Sequence, residues 1–136
     1  MYPLTDTTRE YPSYAEFSDG YLLTRESLAW FGDAYRAESA SLRASPLLGD
    51  MAGMPPALVL TAGLDPLRDQ GRAYAAALAR AGVAVAYREA RGNVHGFLNL
   101  RRAIPSSQGD LAGALVVLRQ IIAEAEAERV LAQAAG

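Results

Sequence analysis

Two short apolar runs, ALVLTA at residues 57–62 and VAVAYR at residues 83–88, restrict the possible folds more than any other feature. A run of four to eight nearly continuous apolar residues is how a strand buried on both faces of a parallel sheet reads. Gly63 ends the first run, and Asp65-Pro66 then announces a helix, with Asp as N-cap and Pro at the first helical position. That helix is expected to reach about Ala81, with Tyr74, Leu78 and Ala81 on one side and Gly82 closing it. Strand, helix and strand with joints this short imply a right-handed crossover and an α/β sheet of parallel strands.

The flanking segments fit around this unit. Met1 to Leu4 reads as the remnant of a third strand, and an apolar, unpaired edge there invites association. Residues 5–20 are rich in Thr, Ser, Pro, Asp and Gly and read as loop. Thr24 is placed to cap a helix in which Leu28, Phe31 and Tyr35, with Trp30 beside them, recur at helical spacing to about Ala37. Residues 38–56 connect to the first run. After residues 101–110, which read as loop, Asp110 begins a last helix toward Ala132 with Leu111, Leu115, Leu118 and Ile122 as its apolar stripe and a polar tail expected to fray. At 136 residues a single domain is expected, with residues 57–136 carrying the sheet and its helices.

Composition excludes more than it selects. The net charge is −2 and all 13 cationic residues are Arg, with no basic face or binding motif to suggest nucleic acid. The absence of cysteine removes disulfides, zinc–thiolate sites and thiol nucleophiles together. One histidine among scattered carboxylates argues against a dedicated metal site, and no glycine pattern supports a nucleotide, so no cofactor is expected. No apolar run approaches the ~20 residues of a membrane span. The first residues lack the marks of a secretion signal, which makes a cytoplasmic location the default expectation.

Ligands of open parallel sheets gather at the carboxyl ends of the strands. Asp65 follows the first run, and His95, in GNVHGF at residues 92–97, follows the second. Adjacent strands would bring their loops together, and a buried carboxylate bonded to a ring nitrogen fixes the tautomer of an imidazole and favours its protonated form. Each residue also has an ordinary reading. Asp-Pro starts many helices, a loop histidine is commonly just solvated, and Asp69 one turn further on suits the helix dipole.

The longer stretch from Ser45 to Phe97, SPLLGDMAGMPPALVLTAGLDPLRDQGRAYAAALARAGVAVAYREARGNVHGF, resembles the C-terminal part of hormone-sensitive-lipase-like esterases of the α/β-hydrolase class. In that family a D-P-L-x-D segment follows the seventh strand and H-G-F follows the eighth. MYPLTD resembles the segment ending the sixth strand, GYLLTRESLAWF the cap-helix region within residues 5–45, and SPL the return to the sheet. The resemblance implies a partial α/β-hydrolase fold with part of a helical cap, and hydrolysis of short- to medium-chain carboxylic esters. It carries Asp65 over as the triad acid and His95 as the general base. Gly92 and Gly96 would let the histidine loop bend. Tyr21, Leu22, Trp30 and Phe31 become candidates for an acyl pocket, although an apolar helix face explains them equally well. For Phe97, packing beneath the loop is the simpler reading.

One departure matters. A serine nucleophile in this class sits in G-x-S-x-G on a strained strand-to-helix turn. None of Ser13, Ser18, Ser27, Ser39, Ser41, Ser45, Ser106 or Ser107 has glycine two residues before and after, and no HGGG-type oxyanion segment exists. In the family both precede the residue matching Met1. The expectation is therefore an esterase portion that is inactive alone and meets an ester substrate only when completed. The competing expectations are a non-catalytic homo-oligomeric module joined through its sheet edge, and another enzyme class using Asp65 and His95 alone.

Overall fold

The computed structural model describes residues 1–135. Its centre is a pair of parallel strands, β1 (Ala57–Leu64) and β2 (Val85–Val94), joined by helix α3 (Arg68–Arg80). Ahead of them come α1 (Pro12–Phe17), α2 (Arg25–Tyr35) and a 3₁₀ turn at Pro46–Leu48, and after them the long helix α4 (Ser107–Ala134).

The near-continuous apolar character of β1 follows from its burial on both faces. Val59 joins Met51, Ala75, Leu78 and Val83 on the α3 side. Leu60 and Ala62 join Ala90, Phe97 and Ala114 on the α4 side. Alternate residues of one strand thus feed two small cores. Gly71 lets α3 approach β1 closely, because a Cβ there would stand 2.6 Å from Thr61 Cγ2.

Several expectations need correction. Residues 1–4 form no strand; Tyr2 N–H donates to Leu60 O, but Pro3 has no N–H with which to extend a ladder. β2 does not stop at Arg88 but runs to Val94, because several of its later positions are exposed or half exposed and accept polar side chains. On the α3 side Glu89 accepts from both the Tyr87 hydroxyl and Arg72 of α3. β1 likewise passes through Gly63 to Leu64, since a Cβ at Gly63 would fall 2.2 Å from Arg91 O and only glycine admits that approach. Asp65 is not the N-cap of α3. Its side chain closes a turn through Leu67 N–H, and the helix begins at Arg68. Gly82, at φ +81°, follows the helix end as expected.

Residues 5–20 are not all loop, because Pro12 starts the short α1. α4 begins at Ser107 rather than Asp110 and continues to Ala134. Its inner face is centred on Ser107 and Ala114, which leaves Leu115 and Ile122 of the expected stripe exposed. Thr24 does cap α2, accepting from Ser27 N–H, yet α2 buries none of its residues. Among the described residues no helix is long and apolar enough to cross a membrane.

Candidate active site

Asp65 and His95 meet at the carboxyl ends of the two strands. β1 delivers Asp65 into a turn in which Oδ1 accepts from Leu67 N–H at 2.8 Å and its carbonyl accepts from Arg68 N–H. One carboxylate oxygen is thereby spent on the local backbone, and the other, Oδ2, lies 2.8 Å from His95 Nδ1. Asp65 is fully buried, whereas the His95 side chain keeps 24% of its exposure. A buried carboxylate without partners would be expensive. Here it has the Leu67 amide and the imidazole.

β2 presents His95 just past Val94, and the chain then turns through Gly96 at φ +77°. Phe97, fully buried, anchors the turn in the α4-side core, and its N–H donates to Val94 O. The ring of Tyr2 stands against the imidazole with centroids 4.5 Å apart, and against Phe97 at 5.8 Å. Burial, and next the charge of Asp65, push the Tyr2 phenol above its ordinary value. Nδ1 is engaged by the carboxylate, so the free ring nitrogen is Nε2. A nitrogen so held can take a proton from one partner and return it to another.

His95 lines a concavity of about 990 Å³ whose other walls include Tyr2, Leu4, Leu23, Leu28, Phe31, Tyr35 and Leu67. Of the pocket residues suggested by sequence, Phe31 lies on this wall. Tyr21, Leu22 and Trp30 do not, and Phe97 lies in the core behind it. Leu22 and Trp30 are turned to solvent, with Leu22 at φ +74°. α2 shows one edge to the concavity, and Trp30 stands edge-on to Phe31 at 5.2 Å.

Two polar latches hold the walls, and neither was foreseen. In the first, Gln70 of α3 accepts from Thr5 N–H at 2.6 Å and from Asp6 N–H at 2.9 Å. Asp6, itself buried, then gathers Thr8, Arg9 and Tyr11. Burial alone would raise its carboxyl, but the bonds from Thr8, Tyr11 and Arg9 prevail and hold it at about 2. In the second, Ser13 of α1 donates to Pro66 O at 2.9 Å and accepts from Asp69 N–H, while Asp69 Oδ2 accepts from Ser13 N–H. Burial would raise Asp69 too, but Arg68 and the Ser13 amide lower it. Asp69 is thus more than a favourable charge in the first helical turn. No short motif announces these latches; their partners are 53 to 65 residues apart.

Fold and site together define a class: parallel α/β with a carboxylate and an imidazole at adjacent strand ends. The chain belongs to the alpha/beta hydrolase fold family, whose sequence profile matches residues 1–99. It is 46% identical over 105 residues to carboxylic ester hydrolase LipN of Mycobacterium tuberculosis, which covers 74% of this chain and 28% of that protein. Against the ethyl acetate hydrolase of Pseudomonas putida it is 40% identical over 124 residues, covering 88% of this chain and 39% of the other. Among solved structures, the thermostable carboxylesterase EstE1 from a metagenomic library superimposes with TM-score 0.81 at 34% identity, over 88% of this chain and 43% of that one. The chain therefore spans well under half the length of these relatives, and that partial coverage fits the C-terminal portion of a hormone-sensitive-lipase-like hydrolase.

Proposed function

We propose that this chain is the acid–base portion of a carboxylic ester hydrolase, with His95 as general base and acid and Asp65 as the carboxylate that orients it. The observation that carries this reading is the 2.8 Å bond from His95 Nδ1 to a fully buried Asp65, at the rim of an apolar concavity. Relatives named for ester hydrolysis support the reaction class.

The chemistry follows from the free Nε2. A serine hydroxyl held against it would lose its proton to the ring as Oγ attacks the ester carbonyl carbon. Collapse of the tetrahedral adduct expels the alcohol, which takes the proton from Nε2 and leaves an acyl-serine. Water then repeats the cycle, giving its proton to Nε2 and releasing the acid and the serine. Asp65 accepts from Nδ1–H throughout and favours the imidazolium that forms at each step. Leu28, Phe31 and Tyr35 would meet a short- to medium-length acyl chain.

No serine in this chain stands in G-x-S-x-G, so the nucleophile and the oxyanion donors must come from residues outside it. The chain alone is expected to hydrolyse p-nitrophenyl butyrate only at background. Fused behind the serine-bearing portion of LipN, it should hydrolyse the ester. Hydrolysis by the isolated chain that His95→Ala abolishes would refute the requirement for an outside serine. A folded fusion without activity would refute the assignment itself.

A further inference from the structure

Two residues before His95, Asn93 is only 1% exposed, and its Nδ2 donates to Asp110 Oδ2 at 2.7 Å. The bond ties the end of β2 to the first turn of α4. The other half of the amide is left without a partner. Among the described residues, Asn93 Oδ1 is the one buried side-chain polar atom with no hydrogen bond. An ionised carboxylate only accepts, so the amide must turn its NH₂ toward Asp110 and its oxygen away. A buried orphan acceptor is unfavourable. An apolar side chain would avoid it, at the loss of the bond to Asp110.

What that bond holds is visible in the strand pairing. Ala62 faces Ala90 and Leu64 faces Val94, so Arg91, Gly92 and Asn93 lie opposite the single residue Gly63. The regular ladder lapses over this stretch. His95 follows after Val94 alone, and Gly96 then reverses the chain. The backbone that delivers the imidazole is therefore least supported by strand pairing where Asn93 reaches across to α4.

We propose that Asn93 and Asp110 are positioning residues, their bond holding the bulged end of β2 so that His95 Nδ1 meets Asp65 Oδ2. The catalytic value of this placement rests on the hydrolase reading, but the placement itself can be tested without turnover. His95 is the only histidine, so every imidazole signal in ¹H–¹⁵N spectra of the full chain belongs to it. The intact chain should show an Nδ1-bound proton shifted downfield by the carboxylate. In Asn93→Leu and Asp110→Ala that proton signal should be lost and the ring should become a mixture of neutral tautomers. Asp110→Asn, whose amide oxygen can still accept from Asn93, should retain it.

Unchanged imidazole signals in a folded Asn93→Leu variant would overturn the proposal. Equal loss in Asp110→Asn and Asp110→Ala would also overturn it, because the bond would then not be what matters. If Asn93→Leu does not fold, the two half-buried Asp110 variants decide. A fusion that fails to hydrolyse esters while these spectra behave as expected would remove the hydrolase reading and leave the positioning pair standing.

Discussion

Asp6 offers a quantitative test of how the N-terminal segment is held over the site. Its carboxyl is 2% exposed and lies at about 2, against 3.8 for the free side chain. A carboxyl lowered on folding contributes stability that is fully present above the unfolded value near 4 and is lost as pH falls through about 2. At ~1.4 kcal/mol per pH unit, that drop is worth at most about 2 kcal/mol. The ceiling applies because Arg9 is mostly exposed and water screens its share. The perturbation is Asp6→Asn, close in shape and unable to ionise. Urea unfolding of both proteins at steps from pH 7 to pH 2 isolates this carboxyl, because the other acids cancel in the difference. The variant should be less stable at pH 7 by up to about 2 kcal/mol, and the gap should close between pH 4 and pH 2. Equal stability at pH 7, or parallel curves below pH 4, would refute the idea that these bonds favour the ionised form.

Two glycines with crowded surroundings should behave in opposite ways. At Gly63 a methyl group would meet the Arg91 carbonyl at 2.2 Å, so Gly63→Ala should cost about 3 kcal/mol or more in urea unfolding. At Gly113 it would meet only the mobile end of Arg88 at 2.6 Å, so Gly113→Ala should be neutral or stabilising by up to ~1 kcal/mol through helix propensity. Ser13→Ala should cost about 1–3 kcal/mol in the same assay by leaving Pro66 O and Asp69 N–H without their partner, and should speed proteolysis within α1.

The strand–helix–strand unit was legible because β1 is buried on both faces, and that burial imposes an apolar run whose ends can be read. β2 was legible only for its first half. From Glu89, which is partnered by Arg72, its residues are mostly polar or small, and nothing in RGN signals that the backbone still lies beside β1. The α4 stripe was read only in part: Leu111 and Leu118 do turn inward, but the buried face is centred on Ala114, a small residue with little hydrophobic signal, and Leu115 and Ile122 face outward. Asp65 and His95 could be brought together in advance because the end of a strand is a fixed place in a parallel sheet. Tyr2, Asn93 and the Gln70 and Ser13 latches could not, because each depends on contacts between segments distant in sequence. The residues of α2 show the same limit. The resemblance grouped Trp30 with Phe31 as pocket candidates, but only the packing of α2 decides which of them faces the concavity.

The central claim is that Asp65 holds His95 as the proton carrier for a serine supplied from outside this chain. Its most direct test is the turnover of p-nitrophenyl butyrate by the LipN fusion carrying His95→Ala or Asp65→Asn, with folding of each variant checked by circular dichroism. The account expects His95→Ala to lower kcat on the order of 10⁶-fold and Asp65→Asn by about 10⁴-fold, the latter through the wrong tautomer. Either folded variant retaining turnover within tenfold of the parent fusion would contradict it.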